Sequence, residues 1–373
     1  MRRGSMKGLM AGVALAAGAV FAAPALAEDF NLNALIEAAK KEPPLSVYDS
    51  TGKIVDMVEA FNAKYGLKAT GAKSKATAQL ETIIREVQSG NVQTDVSFIS
   101  DPSAVIGQLK PAGFIENWVP PDLAADITPE AHDPLQIVSS PNILTYNTKL
   151  YDKCPVTNIW QLTEPEWKGR FAMQDPLGKP SYTDWFNQMH GRIDDKVAAA
   201  YEAQYGKKLE TDLGSATHAF VAALAANGPL LTDSDSAAAD AVAAPGQTEP
   251  FLGLVSAAKF RDNAGKGFTL GLCAGVDPII GFANPTVGVI VKGTDSPNSA
   301  RLFIHYAMTA EGIAPQAEDG KMSTNRTVGL PDDEPSGIAK HLDALLNYDP
   351  ATGLEDWDTR QDWQDFWRVH YTR

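Results

Sequence analysis

Short hydroxyl-rich turns after predicted strands hold the residues in this sequence that are best suited to chemistry. The stretch from Leu45 to Phe61 changes from a period of two to a period of about 3.6 at Asp49-Ser50-Thr51-Gly52-Lys53, so it predicts a strand that leads into a helix. A helix that begins there directs free backbone N–H groups, two hydroxyls and the positive end of its dipole beyond the sheet. Such a turn is suited to bind an anion, and an ordinary helix N-cap is the alternative interpretation.

The same order of strand, polar turn and helix recurs twice further along the chain. Residues 66–70 predict a second strand, and Ser74 to Thr77 lead into a helix. A third predicted strand, residues 94–99, ends at Ser100 and Asp101. Because the carboxyl ends of parallel strands share one edge of a sheet, we expect these turns to meet at the ligand-binding edge of an α/β lobe. Their candidate ligand residues are Ser50, Thr51, Ser74, Thr77, Ser100 and Asp101.

Two polar turns in the second half of the chain supply the other candidates. Residues 171–176 predict a strand that ends in a turn, residues 178–183 follow, and a helix begins at Asp184 with Ser181 or Thr183 as its N-cap. The run Thr232 to Ser236 precedes another helix and suits a polyol, a cation or water, with a double helix cap as the alternative. The candidates in these two turns are Ser181, Tyr182, Thr183, Trp185, Asp233, Ser234 and Asp235, with Tyr182 and Trp185 as stacking walls.

The amino terminus predicts export. Arg2, Arg3 and Lys7 precede a short apolar run that ends in Ala25-Leu26-Ala27, which is the pattern of a secretory signal peptide cleaved after Ala27. No later stretch has the apolar length of a transmembrane helix. We therefore expect a soluble protein in the periplasm, with the Sec route favoured and twin-arginine export as the alternative.

Composition and charge limit the class of protein. The 373 residues are 44% hydrophobic and 21% charged, which suits a globular chain of two lobes. A formal net charge of -14 argues against nucleic acid or an anionic membrane as a partner. In an oxidising compartment Cys154 and Cys273 predict a disulfide, and two buried thiols are the alternative. Neither these cysteines nor the six histidines have the spacing of metal ligands, so we expect no structural metal and no cofactor.

The sequence also lacks the motifs of exported hydrolases. It contains no G-x-S-x-G, no H-E-x-x-H and no P-loop, so a binding protein explains it better than an enzyme. Near the carboxyl terminus, Trp363, Phe366 and Trp367 recur at helical spacing. We expect this run to dock as a helix on the second lobe, and an exposed partner-binding stripe is the alternative.

Six short motifs follow one another in a specific order along most of the chain. They are Lys64 to Gly66, Ala112 to Glu116, Tyr146 to Leu150, Trp160 to Arg170, Asn284 to Val289, and Ala300 to Tyr306. Together they resemble the extracellular solute-binding proteins of ABC importers, in the group usually described as iron(III)-binding.

The resemblance implies a type II-like clamshell of two α/β lobes with a ligand cleft between them. It places residues 28–145 and 282–328 in lobe 1, and residues 146–281 and 329–373 in lobe 2. It further implies a monomer that closes about a hinge on its ligand and docks on a membrane permease.

The ligand expected from the resemblance differs from that expected from the residues. The iron binders of this family supply an adjacent Tyr-Tyr pair, which this sequence lacks, and tend to have a histidine where Ser50 and Thr51 stand. Hydroxyls and N–H groups suit a carboxylate, phosphate or phosphonate. We therefore expect a small, oxygen-rich anion, either sugar phosphate-like or an organic acid. Ferric iron is the second interpretation, and a polyamine, attracted by the aspartates, is the third.

Overall fold

The computed structural model describes residue 1 and residues 30–372. Apart from Met1, the predicted signal peptide, residues 1–27, lies outside the described residues. Within the described part of the chain, no helix combines the length and the apolar character that crossing a bilayer requires.

The described strands form a single sheet in which parallel groups flank a central antiparallel pair. Its order is β2-β1-β3-β10-β5-β8-β6-β7, with β4 and β12 paired to β10, and β9 and β11 paired to β5. The strands are β1 (Leu45–Asp49), β2 (Ala69–Lys73), β3 (Val96–Ile99), β4 (Ile115–Glu116), β5 (Gln136–Asn147), β6 (Phe171–Gln174), β7 (Leu230–Thr232), β8 (Leu252–Ser256), β9 (Leu270–Leu272), β10 (Gly281–Val291), β11 (Met322–Ser323) and β12 (Leu345–Asn347).

Helices cover the faces of this sheet, as expected where parallel strands are joined by crossovers. They are α1 (Leu32–Ala39), α2 (Ile54–Tyr65), α3 (Ala76–Ser89), α4 (Pro102–Ala104), α5 (Pro180–Tyr205), α6 (Ala216–Ala226), α7 (Asp235–Ala243), α8 (Arg261–Lys266), α9 (Pro297–Ala307), α10 (Ala310–Ala317) and α11 (Gly353–His370). The short helix α4 continues as a π-helical turn, Val105–Leu109.

Hydrophobic clusters lie on the two sides of the central pair. We call the side with β1, β2 and β3 lobe 1, where two clusters pack around residues such as Phe61 and Ile83. We call the side with β6, β7 and β8 lobe 2, where one larger cluster packs around residues such as Phe186. The result is the two-lobed α/β architecture that the sequence predicts, while the exact predicted lobe boundaries remain a prediction.

The two lobes share the long strands β5 and β10. These strands pair antiparallel from Gly281 opposite Ile143 to Val287 opposite Gln136. Gly281 is required there because a Cβ atom at this position would lie 2.0 Å from the carbonyl oxygen of Asn142. A glycine at this position therefore lets β10 begin its pairing with β5.

Lobe 2 contains the disulfide Cys154–Cys273, whose Cα atoms lie 5.1 Å apart. The bond joins residues separated by 119 positions in sequence, so it restricts the unfolded chain over a long loop. Cys273 is fully buried in the lobe 2 cluster.

The C-terminal helix α11 docks on α5 and α6, as the sequence predicts. Trp363 and Trp367 are buried in the lobe 2 cluster. The sequence did not predict that the same helix also reaches lobe 1, where Trp357 packs against the cluster that contains Ile83.

We expect that Trp367→Ala lowers the free energy of unfolding by about 3–5 kcal/mol, because it leaves a cavity beneath α11. The Trp367 ring is 1% exposed and stacks on Phe186, with ring centroids 5.8 Å apart. Urea unfolding curves measure the effect. The control is Val369→Ala in the same helix. Because Val369 is 79% exposed, this substitution should change the free energy of unfolding by less than about 0.5 kcal/mol. Equal midpoints for the two variants would contradict the docking of α11.

Candidate functional site

A cavity of about 260 Å³ lies between residues of the two lobes and is lined mainly by polar side chains. The turns after β1, β2 and β3 contribute from lobe 1, and the starts of α5 and α7 contribute from lobe 2. Ser140, Asn142 and Asn284, on the central strands, also line it. The predicted ligand residues that it brings together are Ser50, Thr51, Thr77, Ser100, Ser181, Asp233, Ser234 and Asp235.

The turn after β1 does not cap α2 with a side chain. The residue before the helix is Lys53, and no side-chain cap bond is present there. The Thr51 N–H instead donates to the Asp49 carboxylate at 3.2 Å, and the Ser50 hydroxyl accepts from Gln79 Nε2 at 3.4 Å. The Thr51 hydroxyl accepts from the N–H of Lys53, the residue before α2, at 3.4 Å, so the helix-start interpretation accounts for Thr51 and not for Ser50, whose hydroxyl contacts a side chain instead.

Ser74 differs from the prediction because it does not line the cavity. Its backbone N–H donates to the Asp49 carbonyl at 2.8 Å, and its carbonyl accepts from Gln79 Nε2 at 2.8 Å, so it joins β1 to α3. Its neighbours Lys73, Lys75 and Thr77 line the cavity in its place.

Ser100 and Asp101 are adjacent but have different roles. The Ser100 hydroxyl lines the cavity and lies 2.8 Å from Thr286 Oγ1. Asp101, in contrast, is 1% exposed, accepts from the Ala104 N–H at 3.1 Å and forms an ion pair with Arg360. The prediction of Asp101 as a ligand residue is therefore corrected, because a cation from the far end of the chain occupies its carboxylate.

Ser181 is the lobe 2 residue best placed to receive a hydrogen bond from a ligand or donate one to it. It lies in the first turn of α5, is 2% exposed and lines the cavity. Its hydroxyl oxygen has no hydrogen-bond partner among the described residues. Since a buried hydroxyl without a partner is costly, a group in the cavity is the natural partner.

The three neighbours of Ser181 on α5 are turned into the core, which corrects their predicted role. Tyr182 is fully buried and donates its hydroxyl to the Leu254 carbonyl at 3.3 Å, and burial raises its pKa well above the ordinary value. Thr183 donates back to the Pro180 carbonyl at 2.7 Å. Trp185 stacks on Phe282 with ring centroids 5.0 Å apart. None of these three lines the cavity, so Tyr182 and Trp185 are core residues and not stacking walls.

The acidic turn before α7 was interpreted from the sequence either as a polar ligand site or as a double helix cap, and the structure has features of both. The Ser234 hydroxyl caps α7 by accepting from the Ala237 N–H at 3.2 Å. Asp235 accepts from Gln174 Nε2 at 2.7 Å, and Asp233 lines the cavity beside it. One cap is therefore present, and two carboxylates remain at the cavity wall.

Six cationic side chains line the cavity, and the sequence analysis included none of them. They are Lys73, Lys75, Lys179, Lys259, Arg261 and Lys321. Since the described residues contribute two carboxylates to the lining, Asp233 and Asp235, the lining has an excess of positive charge although the whole chain carries a formal net charge of -14. The sequence could have indicated three of these cations, since Lys73, Lys75 and Lys179 flank turns that were already selected for their hydroxyls.

Lys321 is held at the cavity by a chain of buried contacts. Its ammonium group donates to Gln316 Oε1 at 3.0 Å, and Gln316 Nε2 donates to the Asp49 carboxylate at 2.9 Å. Burial lowers the pKa of Lys321 and raises the pKa of Asp49, and the attraction between the two groups opposes both shifts. Asp49 thus orients the Ser50–Thr51 turn and, through Gln316, a cation from the segment after α10.

The remaining chemistry of the lining suits an anion better than a metal. Among the described residues, no group of three or more histidine, cysteine, aspartate and glutamate side chains is placed to hold a metal ion. No tyrosine is found in the described lining either. Hydroxyls, amides and ammonium groups instead supply donors for negatively charged oxygens.

A larger cavity of about 820 Å³ adjoins this one and shares Lys75, Gln174, Gly178, Lys179 and Asp233 with it. Leucines of β7 and the ring of Trp367 form much of its remaining wall. Because the hydroxyls and most of the cations lie in the smaller cavity, we regard that one as the functional site.

Comparison with known proteins identifies a family and a fold. Residues 56–337 match the family model described as bacterial extracellular solute-binding protein. No curated protein matches the chain in sequence.

Several solved structures have the same fold. Iron-bound HitA from Pseudomonas aeruginosa has a TM-score of 0.65 and 17% identity, covering 88% of this chain and 99% of that chain. The substrate-binding protein of an ABC transporter from Agrobacterium tumefaciens has a TM-score of 0.69 and 15% identity, covering 91% and 97%. AfuA from Actinobacillus pleuropneumoniae, with fructose-6-phosphate bound, has a TM-score of 0.64 and 20% identity, covering 87% and 99%. These similarities confirm the predicted periplasmic-binding-protein clamshell.

We expect that Gln316→Leu lowers the free energy of unfolding by about 1–3 kcal/mol for each buried group whose hydrogen bond to Gln316 it removes. The groups are the Asp49 carboxylate and the Lys321 ammonium. Urea unfolding measures the change. The control is Gln361→Leu on the exposed face of α11, which should have little effect. Equal stabilities would show that the chain of contacts from Asp49 to Lys321 does not form.

Proposed function

The chain belongs to the bacterial extracellular solute-binding proteins, which serve ABC importers, and we propose that its ligand is a small, oxygen-rich anion. A sugar phosphate-like compound or an organic acid fits this description. The two lobes would close about the central strands on the bound solute, and the closed protein would deliver it to a membrane permease. The family and its structural neighbours are binding proteins, so the proposed function includes no catalysis.

The observation that carries this proposal is the combination of cations and hydroxyls, including the unpartnered hydroxyl of Ser181, in one interlobe cavity. Each hydrogen bond to an ionised oxygen contributes about 1.5–3 kcal/mol. Three or four of them supply the roughly 8 kcal/mol that micromolar affinity requires. The cavity offers that number from lobe 1 and lobe 2 together, through groups such as Ser50, Ser181 and Lys179.

The similarity to AfuA supports a phosphorylated ligand. That protein holds fructose-6-phosphate in the same fold at 20% identity. The cationic lining described above is what a phosphate ester needs, because a doubly charged group requires several donors and compensating charge.

Ferric iron is the second candidate, because iron-bound HitA has the same fold. Iron(III) prefers hard anionic oxygen ligands, and the described cavity lining supplies only Asp233 and Asp235 of that kind. The same positive charge that favours an anion opposes both a ferric ion and a polyamine.

The proposal is tested by isothermal titration calorimetry on the mature protein with fructose 6-phosphate, citrate, ferric citrate and spermidine as probes. We expect micromolar affinity for at least one of the two anions alone, weakened by added salt. Native mass spectrometry of the freshly purified protein identifies any retained solute. Binding of iron without an accompanying organic anion, or of spermidine, would contradict the proposal.

We expect that Ser181→Ala separates affinity from stability. The substitution removes a buried hydroxyl that lacks a partner, so the stability of the ligand-free protein should stay the same or rise. Affinity for the anion identified by calorimetry should fall by about tenfold or more, because a hydrogen bond to an ionised oxygen is lost. Thermal unfolding and calorimetry of the same samples measure the two effects.

The companion variant is Lys179→Met, which removes a charge from the lining, with Lys207→Met on the exposed surface of lobe 2 as its control. The first should weaken anion binding and reduce its salt dependence, and the second should leave both unchanged. Equal affinity of Ser181→Ala, Lys179→Met and the unaltered protein would place the ligand elsewhere.

A further inference from the structure

A buried cluster of charges joins both lobes to α11 outside the cavity lining. The Arg360 guanidinium contacts the Asp101 carboxylate with Nη2–Oδ1 at 2.6 Å and Nη1–Oδ2 at 3.2 Å, and it contacts Asp184 Oδ1 at 3.3 Å. The Ser103 hydroxyl donates to Asp184 at 2.8 Å and also contacts the guanidinium. Both aspartate side chains are 1% exposed, and that of Arg360 is 13% exposed. Water therefore screens these charges little.

The three charged residues belong to three parts of the fold. Asp101 follows β3 in lobe 1 and caps α4, Asp184 lies near the start of α5 in lobe 2, and Arg360 lies on α11. Both aspartates are close in sequence to cavity residues, since Ser100 precedes Asp101 and Ser181 lies one helical turn before Asp184. The position of Arg360 therefore influences the distance between two backbone segments that present hydroxyls to the cavity.

The helix that carries Arg360 is anchored in both lobes. On lobe 1, Trp357 lies so close to Gly107 that a Cβ atom there would be 2.3 Å from the indole ring. On lobe 2, Trp363 and Trp367 are buried in the core. Arg360 lies between these anchors in sequence, so its side chain is held in place by packing on either side.

The balance of charge in this cluster indicates what loss of the Arg360 guanidinium would do. One guanidinium faces two buried carboxylates, and the buried Asp356 adds a further negative charge nearby. Burial raises the pKa of Asp184, and Arg360 opposes that shift. Removing the cation of such a group leaves uncompensated buried charge. The contacts through which the guanidinium joins Asp101 of lobe 1 to Asp184 of lobe 2 would be lost at the same time.

We propose that Arg360 is an interlobe latch, a positioning residue that holds the cavity walls of lobe 1 and lobe 2 together without contacting the ligand. Loss of the guanidinium separates the segments that carry Ser100 and Ser181. The latch sets the interlobe distance in the ligand-free protein, and its effect on affinity rests on the proposed function.

The test measures the distance between the lobes directly. Spin labels attached at Glu59→Cys on α2 and Glu202→Cys on α5, both exposed, report the interlobe distance distribution by pulsed electron resonance. In the ligand-free protein, Arg360→Gln should shift or broaden this distribution toward longer distances. A distribution that superimposes on that of the unaltered protein would overturn the latch.

Three further variants separate a latch from a general loss of structure. Arg368→Gln removes the same type of charge from an exposed ion pair on the same helix and should leave the distribution unchanged. Arg360→Lys keeps the charge but loses the two-pronged contact, so an intermediate distribution is expected. The triple variant Asp101→Asn, Asp184→Asn, Arg360→Gln leaves no uncompensated buried charge among these three residues and should restore short distances. Failure of the triple variant to differ from Arg360→Gln would show that charge is not the cause.

A titration with fructose 6-phosphate completes the test. We expect Arg360→Gln to raise the Kd at least severalfold, and Arg368→Gln to leave it unchanged. If the unaltered protein binds no fructose 6-phosphate, that ligand is excluded from the proposed function, but the distance measurement still decides the latch. If fructose 6-phosphate binds normally to Arg360→Gln and the distances are unchanged, the latch alone is wrong.

Discussion

The antiparallel pairing of β5 with β10 is the constraint on which the rest of the structure depends. Both strands are almost wholly buried, and they carry Ser140, Asn142 and Asn284 to the cavity at the middle of the sheet. A slip of one residue in their register would turn these side chains to the opposite face. Because β3 adds to β10 and β8 adds to β5, the same pairing decides which turns of the two lobes face each other.

Charge in this protein is organised locally, and the net charge conceals that organisation. Buried acids are placed beside cations from distant segments, as in the pairs Arg261–Asp319 and Arg360–Asp101. Such placement compensates ionised groups that would otherwise be costly to bury. Lys321 shows how such compensation keeps a cation at the cavity wall. Gln316 bridges its ammonium group to the Asp49 carboxylate, and the negative charge of Asp49 attracts that group. A positive cavity can therefore exist in a strongly acidic chain.

The sequence predicted the turns well because the signal is local. Ser50, Thr77, Ser100 and Ser181 stand where a strand pattern changes to a helix pattern, and that change fixes them at the sheet edge. Tyr182 and Trp185 were misplaced because the rotation of α5 depends on its packing against Phe282, nearly a hundred residues later.

Other features depend on contacts between distant parts of the chain. Asp101 meets its partner 259 residues away, a pairing that no local pattern reveals. The cavity lysines were missed for the related reason that a lysine beside a turn resembles a solvated surface lysine until the topology is known. The two-lobed arrangement itself came from the resemblance to a family, since periodicity indicated only two α/β units.

The lining of the cavity has an energetic consequence for whatever it binds. Among the described buried polar side-chain atoms without a partner, the Ser181 hydroxyl oxygen is the one that lies on a residue lining the cavity. An unsatisfied buried hydroxyl costs about 1–3 kcal/mol, and a ligand that supplies the missing hydrogen bond recovers this free energy on binding. The cations act in the same direction, because their mutual repulsion is relieved by an anion. The position of the Ser181 hydroxyl is also well determined, since Ser181 lies on a long helix whose neighbouring side chains are buried in the core. A solute that satisfies these groups therefore gains binding free energy by removing costs that the lining already carries.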